Sequence, residues 1–396
     1  MYKILSLDGG GSWALIQIKA LQEFYGKDAK GHDVLKDFDL VVANSGGSIA
    51  MAAMLKNLSL DDILNNFYLK ADVLKKIFVK LPPLNTEKVI RDIVGVGPRF
   101  SAVKKFEGLK EVLGDISEKS LDSLPALFGG KTNFIITAFD YDSRRAVFFR
   151  SNRNSQAASQ GSRDHFVSVT LAEAIHASSN APINFFDQPA QFKIDNKIKN
   201  FWDGAMGGYN NPIVAGVIEA LWDKIPMSEI SVLSIGTASS MLPIKGFGFE
   251  AVSEDLYQEI KKSSLLRDIG EGVTCVVDDP PDAASFIAYT MLGIPSLNKF
   301  VRLNPLIQPV LDGNKKWNYP CYDEVDSSLK VSPDEFHRLV NLDMAAIEEK
   351  DVLLINKYCD AWIRGKVNNQ AIRTNPDLTG DIGFPYFKDG KDGWSK

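Results

Sequence analysis

Phe38-Asp39-Leu40-Val41-Val42-Ala43-Asn44-Ser45-Gly46-Gly47-Ser48-Ile49-Ala50-Met51-Ala52-Ala53-Met54-Leu55 is the stretch whose reading decides the fold. The apolar run from Phe38 to Val42 predicts a buried strand, and the small, apolar run from Ser48 to Leu55 predicts a buried helix behind it. Between them, Ala43-Asn44-Ser45-Gly46-Gly47 puts a serine among small residues, where a chain can turn sharply from strand to helix. That order is the layout of a nucleophile elbow. A serine hydroxyl becomes an effective nucleophile only when it is presented beside a base and beside donors for the developing oxyanion. A helix N-terminus supplies free N–H groups in the right place. The same residues also fit a plain βα turn whose serine caps the helix, so the neighbouring segments carry the decision.

At the start of the chain, Lys3-Ile4-Leu5-Ser6-Leu7 reads as a buried strand that runs into Asp8-Gly9-Gly10-Gly11-Ser12. A helical pattern follows from Trp13 to about Phe24. Glycines at such a junction free several N–H groups to point into one concavity, which suits an oxyanion or a phosphate. Downstream, Ala172 to Pro182 is a small-residue helical stretch ended by proline. Ile198–Trp202 then leads into Asp203-Gly204-Ala205, and Asn210-Asn211-Pro212 closes that loop. Taken by itself, Asp203-Gly204 is also a common turn pair.

These pieces, in this order, resemble the patatin-like phospholipase family: a DGGG loop, a G-x-S-x-G elbow, an A-S-x-A-P helix end and a D-G-[GA] loop. The resemblance covers roughly residues 1 to 240. It implies a three-layer α/β/α fold with a central, mostly parallel sheet, extended here by a C-terminal helical portion. It also implies a serine–aspartate dyad without histidine: Ser45 as nucleophile and Asp203 as base. Gly9, Gly10, Gly11 and Ser12 would form the oxyanion loop, and Ala43, Asn44, Gly46 and Gly47 the elbow. Ala43 stands where the family's first elbow glycine would be, and Trp13-Ala14 stand where the family usually carries a cation and a glycine. The activity implied is cleavage of phospholipid acyl esters through an acyl-serine. Some bacterial relatives with a C-terminal extension are antiviral effectors switched on by cyclic nucleotides, so a cyclic oligonucleotide activator is an expectation by resemblance.

Elementary chemistry is compatible with a dyad. A carboxyl with an ordinary pKa near ~3.9 is a weak base at neutral pH, but desolvation raises its proton affinity. Losing one oxyanion donor typically costs about 3–4 kcal/mol of transition-state stabilisation. Three rival readings remain: a serine–histidine triad, a sugar kinase using the DGGG loop for phosphate, and a non-catalytic lipid- or nucleotide-binding scaffold. Only His32, His165, His176 and His337 could serve a triad, and none has the strand-end setting of a triad base. The kinase reading expects a threonine or lysine after the glycines, where Trp13 and Ala14 stand, and it leaves the elbow unexplained. No Walker loop and no zinc or EF-hand spacing occurs. The chemistry requires no metal and no cofactor.

Length and charge set the remaining expectations. The 396 residues can bury a large core, and a net charge of −5 without a basic block points away from nucleic-acid binding. Cys275, Cys321 and Cys359 are too few and too far apart for a disulfide framework. The first strand begins at Tyr2, and no run approaches the ~18 apolar residues of a membrane span. The expectation is a cytoplasmic protein touching a phospholipid surface peripherally, with self-association open. Residues 1–245 read as the catalytic core, 246–365 as helices packed on it, and 366–396 as a polar tail or strap. Asp61–Phe78 is expected as one amphipathic helix, and 151–163 as an exposed polar loop.

Overall fold

Short runs become strands, the longest of them where β-branched and aromatic residues cluster. In chain order they are β1 (Tyr2–Leu7), β2 (Leu40–Ala43), β3 (Asn133–Asp140), β4 (Arg145–Arg150), β5 (Ala190–Ile194), β6 (Lys197–Asp203), β7 (Ile230–Ile235), β8 (Ser239–Ser240), β9 (Phe300–Leu303) and β10 (Leu306–Ile307). A minor hairpin pairs Val310–Leu311 with Trp317–Asn318. The structure, a computed structural model, describes residues 1–82, 97–152, 169–259, 281–320, 331–372 and 382–394. His165, Cys275, Cys321 and most of the loop expected at 151–163 lie outside them.

The central sheet runs β5-β6-β3-β2-β1-β7-β9, with β4 also paired to β3. From β3 to β9 every neighbour is parallel, while β4, β5 and β6 add antiparallel pairings at the other side. Parallel strands must be covered on both faces, and the side chains show it. Leu5, Leu7, Val41, Ala43, Phe134, Ile136, Leu233 and Ile235 enter one apolar core. Their alternates Ile4, Leu40, Val42, Ile135, Ile230 and Val232 enter another. The elbow helix Ser45–Leu55 and the helices Leu15–Tyr25 and Glu349–Ile363 contribute to the first core. Helix Ile213–Trp222 and helical residues 284–292 contribute to the second. The three-layer α/β/α architecture expected from the sequence is the one observed.

Three local expectations change. Asp61–Phe78 is not one helix: a π-helical stretch at Ile63–Tyr68 gives way at Lys70 to a separate helix, Ala71–Ile77. The consecutive Phe67 and Tyr68 of the wider turn are both buried. The chain beyond 245 is not a purely helical addition, because β9 is an edge strand of the main sheet, paired with β7. Its Arg302 hides the strand pattern by placing a charge in a buried run. The C-terminal stretch, expected as a polar tail or strap, ends in a docked helix. Helix Phe387–Trp394 docks through fully buried Phe387, whose ring meets Trp362 at 4.7 Å and Phe24 at 6.1 Å.

Candidate active site

The turn after β2 brings the quoted elbow into a single geometry. Asn44 ends extended, and Ser45, first residue of the elbow helix, has φ 46°. A non-glycine residue in this left-handed region costs on the order of 1–2 kcal/mol, and such strain gathers at functional sites. Ala43 fits as the last strand residue, paired with Leu7 and Ile136, so the missing first elbow glycine does not prevent the turn. Gly46 is needed for another reason: a Cβ there would strike the backbone of Gly11. The elbow and the DGGG loop therefore touch.

The DGGG loop is anchored from several sides. The Gly9 N–H donates to the Asn210 carbonyl at 2.8 Å, and Thr237 Oγ1 donates to the Gly9 carbonyl. Asp8, buried beneath the loop, takes a bidentate pair from Arg302 at 2.9 and 2.6 Å. The cation that does not follow the glycines in sequence thus reaches the loop's base from β9, nearly three hundred residues on. Ser12 is engaged as well, its N–H donating to the Met344 carbonyl at 3.0 Å. Of the four residues expected as an oxyanion loop, Gly9 and Ser12 have their amides occupied. Gly10 and Gly11 hold the amides that no carbonyl of the described residues accepts.

Asp203 closes β6 and caps the turn Gly204–Gly207. Its Oδ1 accepts from the Ala205 N–H at 2.9 Å and from Asn44 Nδ2 at 3.0 Å. Burial pushes its carboxyl above the ordinary value. The Ala205 N–H, the Ser45 hydroxyl, the Asn44 amide and the Lys105 charge pull it back, in that order. Asn44 is itself fixed, since its Oδ1 accepts from Thr137 Oγ1 at 2.7 Å and Ser178 Oγ at 3.3 Å. Ser178 Oγ also accepts the Ser45 backbone N–H at 2.8 Å, tying the elbow to the small-residue helix Leu171–Ser178.

Sequence reasoning missed Lys105. Its side chain is fully buried and forms, with Ser45 and Gly11, the wall of a void of about 10 Å³. The amine donates to the His176 carbonyl at 2.9 Å and to Asn180 Oδ1 at 3.3 Å, and lies 4.5 Å from the Phe186 ring centre. Burial drives the amine well below its ordinary value, while Asp203 draws it back up. A signal existed: Ala102, Lys105, Gly108, Leu109 and Leu113 form one buried stripe of helix Ala102–Leu113, so a lysine stood at a core position. Ile49, Ile77, Phe78 and Phe186 complete an apolar wall around the serine.

The described histidines do not supply a triad base. His176 is buried, stacks on Phe106 at 4.8 Å, and is held neutral by burial and by Lys105. Its Nδ1 has no hydrogen-bond partner. His32 binds the Leu55 carbonyl at 2.9 Å, and His337 lies on helix Pro333–Asn341. Among the described residues, no group of three His, Cys, Asp or Glu side chains is placed to hold a metal ion. No helix of the described residues is long and apolar enough to cross a membrane.

A glycine loop, a strained serine elbow and a strand-end aspartate on this sheet define a patatin-type fold and site. The chain matches the patatin-like phospholipase family model over residues 5–216, more than half its length, and belongs to that family. Among solved structures it is similar to VipD from Legionella pneumophila, at 12% identity and a TM-score of 0.33, covering 91% of this chain and 66% of that one. It is also similar to human GIVD cytosolic phospholipase A2, at 17% identity and a TM-score of 0.23, covering 38% and 22%. The chain thus spans less than two thirds of either structure's length. No curated protein matches it.

Proposed function

We propose that this chain is a lipid acyl hydrolase that cleaves phospholipid acyl esters through Ser45 and Asp203. The observation that supports this reading is the left-handed backbone of Ser45, φ 46°, which brings its Cβ beside the glycine loop, with its hydroxyl among the groups that draw the Asp203 carboxyl down. Asp203 takes the Ser45 proton as Oγ attacks the ester carbonyl carbon. The oxyanion that forms is held by the amides of Gly10 and Gly11. The carbon–oxygen bond to the alcohol breaks, and Asp203 returns the proton to the leaving oxygen. Asp203 then deprotonates water, which attacks the acyl-serine; free fatty acid leaves and Ser45 recovers its proton. Burial that lifts the Asp203 carboxyl strengthens it as a base.

Two further features support a lipid substrate. Ile49, Ile77, Phe78 and Phe186 give the wall around Ser45 an apolar face beside Lys105, with the Phe78 and Phe186 rings stacked at 6.1 Å. On the surface, Phe247 is 77% exposed between Gly246 and Gly248, with Met241, Ile244, Phe249 and Val252 also exposed nearby in sequence. Such an apolar loop supports peripheral contact with a phospholipid surface. Activation by a cyclic oligonucleotide, as part of antiviral defence, belongs to the same proposal and rests on family resemblance. The test is fatty acid release from mixed phospholipid vesicles by wild type and Ser45→Ala, each with and without cyclic di- and trinucleotides. Release that disappears with Ser45 is expected. Equal release from both proteins would remove the dyad, and no response to any nucleotide would remove the activator.

A further inference from the structure

The segment between helices Pro333–Asn341 and Glu349–Ile363 crosses the glycine loop. Its Met344 carbonyl accepts both the Ser12 N–H, at 3.0 Å, and the Ser12 hydroxyl, at 3.3 Å. The same oxygen lies so close over Gly11 that a Cβ on that glycine would overlap it. Met344 also forms part of the wall of the void beside Ser45. That void, about 10 Å³, has room for no more than one water molecule. On the other side of the segment lies a cavity of about 610 Å³, bordered by Gly9, Gly10, Trp13, Leu342 and Met344. The segment is thus a partition between a large cavity and the serine.

We propose that residues 341–346 are an inhibitory strap, with the Met344 carbonyl, bound to Ser12 and lying over Gly11, closing the approach to the glycine loop. The proposal rests on the reading of Ser45 and this loop as the hydrolytic centre. An ester carbonyl must approach the same glycine face to reach Ser45, and a backbone carbonyl already occupies the way in. The strap's ends are fixed by apolar anchors, Phe336 and Leu339 before it and Ile347 and Val352 after it, all buried. Its middle is held by polar bonds. The Trp13 indole N–H donates to the Asp343 carbonyl at 3.1 Å, Arg99 pairs with the Asp343 carboxylate at 2.6 Å, and Asp343 Oδ1 accepts the Ala345 N–H at 2.8 Å. A segment built this way can lift while its flanking helices stay packed, and lifting joins the large cavity to the serine.

The test compares wild type, Asp343→Ala and Met344→Gly. It measures fatty acid release from phosphatidylcholine–phosphatidylglycerol vesicles and amide hydrogen exchange in peptides spanning residues 9–14. Asp343→Ala removes a half-exposed ion pair and a turn bond, so a release rate roughly two- to fivefold above wild type is expected. Met344→Gly keeps the carbonyl but removes a side chain that anchors the strap and frees its backbone, so its rate is expected to rise as well; both variants should exchange faster at Ser12. Active wild type with unchanged rates in both variants would overturn the strap. If wild type and both variants release no more than Ser45→Ala, the hydrolase reading fails instead. The inhibitory role falls with it, and exchange then decides only whether residues 341–346 cover the glycine loop: unchanged exchange at Ser12 in both variants removes that as well.

Discussion

Replacing Lys105 by methionine probes how the buried cation serves Asp203. Methionine keeps the length and the apolar stem, so packing against Phe186 is largely retained. Two acceptors, the His176 carbonyl and Asn180 Oδ1, lose their donor. Leaving buried acceptors unpaired costs about 1–3 kcal/mol each, whereas removing a buried ammonium relieves a desolvation penalty of several kcal/mol. The two effects oppose one another, so the net stability change should fall within about 2 kcal/mol. The catalytic effect has a definite sign. Lys105 lowers the Asp203 carboxyl, though less than Ala205, Ser45 and Asn44 do. A nearby cation favours the ionised carboxylate, so removing Lys105 should let the Asp203 carboxyl rise further above its ordinary value. The acid limb of kcat/KM against pH, measured on a soluble chromogenic ester, should therefore move to higher pH in Lys105→Met. An acid limb that stays in place while the rate falls would refute the electrostatic reasoning and leave Lys105 only as a brace for the end of helix Leu171–Ser178.

Two other perturbations follow from buried charges. Asp203→Asn keeps the Oδ1 acceptor used by Ala205 and Asn44 but removes a carboxylate whose folded pKa burial has raised. A raised carboxyl costs stability above its folded pKa and recovers it as pH falls. The variant should therefore be inactive yet more stable at neutral pH by roughly 0.5–2 kcal/mol, with the difference vanishing in acid; thermal unfolding at several pH values checks this. Arg302→Met leaves Asp8 buried without its cation and should destabilise by about 3–5 kcal/mol in urea unfolding at neutral pH. Protonating Asp8 relieves the charge, so the loss should shrink as pH is lowered.

The parts of the site readable from sequence are those made by contiguous residues. The Asp8–Ser12 loop, the Asn44–Gly47 elbow and the Asp203–Ala205 turn each sit at a strand end, where local chain chemistry dictates the shape. Two-face burial of β1, β2 and β7 was legible because both parities of these strands are apolar. What stayed hidden arrives from far along the chain. Arg302 reaches Asp8 across 294 positions, and Met344 reaches Ser12 across 332. Neither leaves a local signature: an arginine in a four-residue strand and a methionine in a polar loop are unremarkable until the sheet adds β9 and the helices turn back. Lys105 was the exception, since its helical stripe marked it as buried. The break at Lys70 left no mark in the apolar periodicity of Asp61–Phe78.

Joining β9 to the main sheet also limits how this chain can be divided. The family-matched stretch ends at residue 216, before β7 and long before Arg302. A fragment cut there would lose the strand beside β1 as well as the only partner of Asp8's carboxylate among the described residues. The residues proposed to do the chemistry are therefore not a portable cassette. Any recombination that moves Ser45 and Asp203 into another protein must carry the second half of the chain, or supply a new edge strand with a cation at the same register.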